Sequence, residues 1–171
     1  MLLIKKLQLL FVFLFLFLVS QPNYAGPPHG FTTTNPSVRG ASMPCTSFAG
    51  ELVPFVANYA TPGIGNPGMA ARTYNGQPYI YINPNVTDPL PDLIVQFWFA
   101  HECAHHALPP HLNSEINADC FAVRNLRNIG LVNNAQQVQW MFEYLSGLPG
   151  SMMGHLPGPA RAQNIYQCLN T

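Results

Sequence analysis

The stretch Asp92-Leu93-Ile94-Val95-Gln96-Phe97-Trp98-Phe99-Ala100-His101-Glu102-Cys103-Ala104-His105-His106-Ala107-Leu108 decides how this chain is read. It is apolar almost all the way round, as a buried helix is, and Pro109-Pro110 stops it. Thr87-Asp88-Pro89 carries a helix-start signal, so the expected helix runs from about Leu90 or Asp92 to Leu108. His101 and His105 then lie on one face, about 40° apart at roughly 100° per residue, and both imidazoles can reach one ion. Glu102, one step round, can touch a water beside that ion without ligating it. In this H-E-x-x-H arrangement the two histidines bind zinc and the glutamate is the general base. Ordinary residue frequencies produce it by chance in roughly one chain of this length in a few hundred. Buried His and Glu need partners, and a metal supplies one. Cys103 is about 200° round from His101, which reads as core or disulfide rather than ligand.

The third ligand has two candidates. Glu115 and Asp119 are four apart at the start of the next expected helix, so they also share a face. Glu115 could ligate, and Asp119 could accept a hydrogen bond from the second nitrogen of a ligating histidine. The alternative is His111, ten positions after His101, the spacing of H-E-x-x-H-x-x-G-x-x-H peptidases. That pattern needs a glycine where this chain has Leu108, and His111 leaves both carboxylates unexplained. Glu115 is the favoured ligand. His106 reads as a structural or surface histidine.

His101-Glu102-Cys103-Ala104-His105 followed by Glu115-Ile116-Asn117-Ala118-Asp119 resembles the H-E-x-x-H…E-x-x-A-D signature of gluzincin metallopeptidases. The HtpX-like and CAAX-prenyl-protease-like groups carry it, as do the short neutral zinc metallopeptidase-like proteins. His155-Leu156-Pro157-Gly158-Pro159-Ala160-Arg161 is similar to a His-Pro…Arg segment of that family, with the proline displaced by one. The resemblance spans roughly Tyr79 to Leu169. It implies a zincin-like fold with one Zn²⁺. It also implies His155 near the metal, as an oxyanion stabiliser or an inhibitory fourth ligand, with Arg161 beside the site. The gap from His105 to Glu115 is shorter than in the multi-spanning members, and no transmembrane helices flank the motif. Membrane-protein substrates are therefore not implied.

Before the long helix, Asn75-Gly76 separates Met69–Tyr74 from Pro78–Asn83, the strongest short hairpin signal. Tyr79, Ile80, Tyr81 and Ile82 are strand formers. By the resemblance to zincin folds, the strand bearing Tyr79 and Tyr81 edges the cleft and pairs with an extended peptide; the other reading is an interior hairpin strand. Tyr79, Tyr81, Tyr144 and Tyr166 are alternative oxyanion donors. Ser47 to Ala60 is apolar enough for a helix kinked at Pro54, and Thr61 to Gly68 reads as a loop. Ser114 caps a helix from Glu115 to Ile129, with Gly130 as its stop. Asn134 to Leu145 and Pro159 to Leu169 complete the helices, with a loop over Gly147–Gly158. The expected class is α+β, mainly helical, with a β-hairpin before the H-E-x-x-H helix.

Lys5-Lys6, the apolar run Leu9–Val19 and the small residue Ala25 are the parts of a secretory signal peptide over 1–25. The run is shorter than the roughly 20 apolar residues of a spanning helix. Gly26 to Pro44 reads as a flexible lead-in, and 45–171 as one domain. Beyond the leader there is no lysine, only Arg39, Arg72, Arg124, Arg127 and Arg161 against seven acids. That balance argues against nucleic acid or an anionic membrane as partner. Cys45, Cys103, Cys120 and Cys168 make an even count suited to disulfides in a periplasmic or secreted chain, with the pairing open. The expectation is an exported zinc peptidase, an endopeptidase rather than an exopeptidase, acting on a peptide or protein substrate. The alternatives are a non-catalytic zinc-binding protein on the same scaffold and a zinc hydrolase of a non-peptide amide.

Overall fold

A computed structural model of the chain describes residues 36–57, 65–150 and 155–170. The expected signal peptide and most of the lead-in lie outside the described residues, as do positions 61–64 of the expected loop. The architecture is α+β. Strands β1 (Ser37–Val38) and β2 (Ala41–Ser42) form a small hairpin, and a three-stranded sheet is built from β3 (Phe55–Ala57), β4 (Gly68–Arg72) and β5 (Pro78–Ile82). The helices are α1 (Pro84–Thr87), α2 (Asp92–Ala107), α3 (Glu115–Asn128), α4 (Ala135–Ser146) and α5 (Gly158–Asn170).

The expected hairpin is present. β4 and β5 pair antiparallel with Ala70 opposite Ile80, and Gly76 takes the positive φ of 84° that the turn requires. The order β3-β5-β4 makes β5 the central strand, because β3 pairs with it in parallel from the other side. The expectation that Tyr79 and Tyr81 form the edge is therefore corrected. The edge beside the helices is β4. Of the helix expected over Ser47–Ala60, positions 58–60 lie outside the described residues and 47–57 hold no helix: Phe55–Ala57 is β3, and Pro54 lends its carbonyl to Ile80 N–H. Pro54 has no N–H for a helix ladder, and the β-branched Val53 and Val56 suit a buried strand.

Part of the expected lead-in belongs to the fold. Val38 and Met43 are buried in the core, and Gln96 donates to the carbonyls of Val38 and Arg39.

α2 is the central element. Every residue from Ile94 to Ala104 is buried, so the helix is wrapped by the sheet on one side and by α3 on another. It begins at Asp92, the later of the two expected starts, because Pro91 keeps Leu90 out of helical geometry. Asn83 caps the short α1. Leu108 is extended, as the residue before Pro109 should be. Ser114 caps α3 by accepting from Asn117 N–H, and Asn134 caps α4 through Gln137 N–H.

Two disulfides close the chain. Cys45–Cys103 ties the first described segment to α2, and Cys120–Cys168 ties α3 to α5. With separations of 58 and 48 residues, loop-closure entropy assigns each about 4 kcal/mol. Cys103 thus points away from the histidine face, as its helical position demands. Two disulfides fit an oxidising, exported compartment. Among the described residues no helix is long and apolar enough to cross a membrane.

Candidate metal centre

His101 and His105 on α2 meet Glu115 from the first turn of α3. His101 Nε2 lies 3.3 Å from His105 Nε2 and 3.2 Å from Glu115 Oε2, and His105 Nε2 lies 3.3 Å from Glu115 Oε1. The remaining ring nitrogens are engaged. His101 Nδ1 donates to Asp119 Oδ1 at 2.8 Å, and both residues are fully buried. His105 Nδ1 donates to Asn113 Oδ1 at 2.8 Å, while Asn113 Nδ2 donates to the His105 carbonyl at 3.1 Å. That second bond fixes which end of the amide faces the ring. Both Nε2 lone pairs then point into the space shared with Glu115.

Those three residues form a group that could hold a metal ion. A tetrahedral ion with ligand bonds of about 2.0–2.1 Å sets its ligand atoms about 3.3 Å apart, which matches the separations above. The surrounding atoms agree. Glu102 Oε1 is buried without a hydrogen-bond partner. A buried carboxylate oxygen of this kind calls for an explanation, and a cation beside it provides one.

The positions of the supporting residues follow from packing. Arg161 on α5 is buried, donates from Nε to Asp119 Oδ2 at 3.0 Å and stacks its guanidinium 4.5 Å from the Trp98 ring centroid. Arg161 thus holds Asp119, and Asp119 holds His101. His155, delivered by the segment before α5, reaches the same space: its Nε2 lies 3.7 Å from Glu115 Oε2 and 4.0 Å from Glu102 Oε1. It also joins His101 and Glu102 in a second group of potential ligands. Trp98 packs edge-on against both His101 and His155.

Without a cation, the carboxylates draw protons onto the imidazoles. Burial pushes the His101 pKa down, but its hydrogen bonds to Asp119 and Glu115 outweigh that and raise it from 6.5 to about 9. Burial likewise acts to lower His105, and the bonds to Glu115 and Asn113 raise it on balance. Burial would raise Glu115, yet the two histidines hold it well below the usual carboxylate range. Burial raises Glu102 and lowers His106, and burial together with His101 lowers His155 to about 4. Protons and a metal ion thus compete for one cluster of negative charge.

The sign of the pH dependence follows. A histidine raised from 6.5 to about 9 on folding stabilises the metal-free protein fully below pH 6.5 and loses that contribution as pH rises through 9. Metal binding strengthens over the same interval because fewer protons must leave. The gap in Tm between metal-loaded and metal-free protein is expected to widen from pH 6.5 to 9. Calorimetry showing a constant or narrowing gap would contradict this account of the site.

A cavity of about 470 Å³ opens on the centre, lined along one wall by β4 from Gly68 to Arg72 and on the other by Glu102, His105, Asn113, Glu115 and His155. No family model, curated protein or solved structure matches this chain. Of the residues singled out in the sequence, His101, Glu102, His105, Glu115, Asp119, His155 and Arg161 converge. His111 stands exposed on the 3-10 turn Pro110–Leu112 and joins no potential metal group among the described residues. His106 is structural, bonded through Nε2 to the Tyr79 carbonyl at 3.0 Å. Tyr79, Tyr81, Tyr144 and Tyr166 do not line the cavity.

Three participants are not in the motif. Trp98 stands three positions before His101, a helical neighbour that spacing could have flagged. Ala70 contributes a backbone amide, which leaves no side-chain trace. Asn113 precedes the Ser114 cap and has no motif signal. Asn113→Ala is expected to weaken metal binding by about 10–100-fold, the usual cost of losing a group that orients a ligand. Metal titration against a competing chelator reads this, and an unchanged affinity would remove Asn113 from the centre.

Proposed function

We propose that this chain is an exported zinc-dependent peptidase of the gluzincin type on a small zincin-like domain. The observation that carries the reading is Glu102. It is buried beside the candidate ligands, with Oε2 bonded to Ala70 N–H at 2.7 Å and Oε1 without a partner. A purely structural metal site has no use for such a carboxylate.

His101, His105 and Glu115 would hold the ion, and two imidazoles with one carboxylate suit zinc. When bound, the ion supplies acidification of a water molecule and polarisation of the substrate carbonyl. The chain supplies the rest. Glu102 Oε1 accepts the proton from the attacking water and returns it to the leaving amine. His155 Nε2, across from Oε1, is placed to donate to the carbonyl oxygen as negative charge develops. An extended peptide docks along the outer edge of β4, whose five residues form the cavity wall, through its outward backbone groups other than the Ala70 N–H, which Glu102 takes. This edge replaces the Tyr79–Tyr81 strand as the substrate strand, and a groove holding a continuous chain favours an endopeptidase. Seven acids and five arginines beyond the expected leader leave no basic surface for nucleic acid.

His155 also supports a second reading. If it completes the ligand set, the site is closed by protein and the chain is a non-catalytic zinc-binding protein. Metal analysis combined with cleavage of a broad peptide library separates the two, and extending the panel to non-peptide amides tests the remaining hydrolase chemistry. One ion per chain with metal-dependent peptide cleavage is expected. A metal-replete protein that cleaves nothing would leave the structural reading.

A further inference from the structure

β4 does more than wall the cavity. Its pairing to β5 uses alternate residues: Thr73 N–H donates to the Gln77 carbonyl and the Pro67 carbonyl accepts from Asn83 N–H. Odd-numbered positions therefore point their backbone groups at β5, and Gly68, Ala70 and Arg72 point theirs outward. Ala70 faces Ile80 across the pair without needing its N–H for the ladder. On an edge strand that amide would ordinarily go to solvent. Here it donates to Glu102 Oε2 at 2.7 Å, a short bond to a carboxylate.

Gly68, two residues earlier on the same face, makes the bond possible. A Cβ at this position would lie 3.0 Å from Glu102 Cγ, 2.9 Å from Ile82 Cδ1 and 3.1 Å from the Tyr81 carbonyl oxygen. The Tyr81 carbonyl is strand backbone and cannot retreat far, so the added atom must push against the side chains of Ile82 and Glu102. Gly68 is needed for close approach, not for a turn.

The geometry points to Gly68 and the Ala70 amide as a positioning device that holds the Glu102 carboxylate in one orientation and leaves Oε1 alone for proton transfer. Its catalytic meaning rests on the peptidase reading, while the orientation of the carboxylate does not. Glu102 sits on α2 with a side chain of three rotatable bonds. The strand removes that freedom by a hydrogen bond at Oε2, and Gly68 leaves the room at Cγ that lets the side chain reach it. A misplacement of about 1 Å at a reacting group can cost about 10²-fold in rate, so the device sets kcat rather than substrate affinity.

Amide hydrogen exchange at Ala70 in the metal-loaded full chain tests the orientation without reference to activity. Ala70 N–H is expected to be protected in wild type and in Glu102→Gln, whose side-chain carbonyl can still accept. It is expected to exchange at least about tenfold faster in Glu102→Ala, the fold-change of losing a charge-assisted bond. Equal exchange at Ala70 in wild type and Glu102→Ala would overturn the device.

Two further variants test its role. Gly68→Ala displaces the carboxylate. Ala70→Pro deletes the N–H without removing a ladder bond, which an edge strand tolerates. Both are expected to keep one metal per chain and KM within about threefold, and to lose about 10–100-fold in kcat. Adding Ile82→Val to Gly68→Ala relieves only the contact with Ile82, so recovery of kcat in the double variant would show a packing effect and overturn the assignment. Unchanged kcat in a folded, metal-loaded Ala70→Pro protein would overturn it as well. If wild type turns over no peptide while Ala70 protection still depends on Glu102, the device stands and the peptidase reading falls.

Discussion

Glu102→Gln is expected to lower kcat by about 10²–10⁴-fold, the span contributed by a positioned general base, with metal content unchanged. The substitution is nearly isosteric, and the structure predicts how it settles. Ala70 N–H needs an acceptor, so the glutamine carbonyl takes the place of Oε2 and the amide nitrogen takes the place of Oε1. That nitrogen cannot accept a proton. Glu102 is not in the His101/His105/Glu115 ligand group, so the metal is retained. Stability should not fall. The Glu102 carboxyl is buried, its pKa raised by that burial, and Oε1 has no hydrogen-bond partner. Neutralising it removes a desolvated charge, which is how active sites commonly trade stability for function. Kinetics, metal analysis and thermal unfolding on the same preparation check all three points. Unchanged peptidase activity in this variant would sink the mechanism.

Glu115→Ala is expected to lose the metal, where His111→Ala leaves it in place. Apparent binding free energies of about 10–16 kcal/mol shared over four positions assign roughly 3 kcal/mol to one ligand, about two orders of magnitude in affinity. The real loss should be at least this large, because among the described residues Glu115 is also the only carboxylate within 3.3 Å of both ligating imidazoles. Without it, the two Nε2 atoms face one another with less negative charge to hold a cation. His111 stands on an exposed turn and joins no potential metal group among the described residues. Metal analysis after dialysis reads the difference, and the reverse order of loss would restore the His111 ligand set.

Much of the candidate centre was legible before any coordinates. Helical periodicity places His101 against His105, and Glu115 against Asp119, because side chains four apart must share a face. It also turns Cys103 away, and Cys103 is found bonded to Cys45 on the far side of α2. The cap at Ser114 and the Asn75-Gly76 turn are readable for the same reason: each is a local hydrogen-bonding or φ requirement met within a few residues.

Misreadings cluster where local rules stop. A strand's place in a sheet depends on partners distant in sequence. Nothing near Tyr79 and Tyr81 reveals that β3 pairs beside them and pushes the edge to β4. The apolar run at Ser47–Ala60 suits a helix or a buried strand equally, and only the neighbouring β5 chooses the strand.

The sequence alone determined that His101 and His105 can share an ion, since ligand spacing along a helix is a local property of the backbone, while the choice of Glu115 over His111 waited on how the next helix packs. Tertiary structure alone decided how those side chains are held. Asn113 on a turn orients His105, Arg161 on the last helix orients Asp119, and the Ala70 amide on an edge strand orients Glu102. Each of these is a hydrogen bond between elements at least eight residues apart, and one of them is made by a backbone group that every amino acid but proline carries.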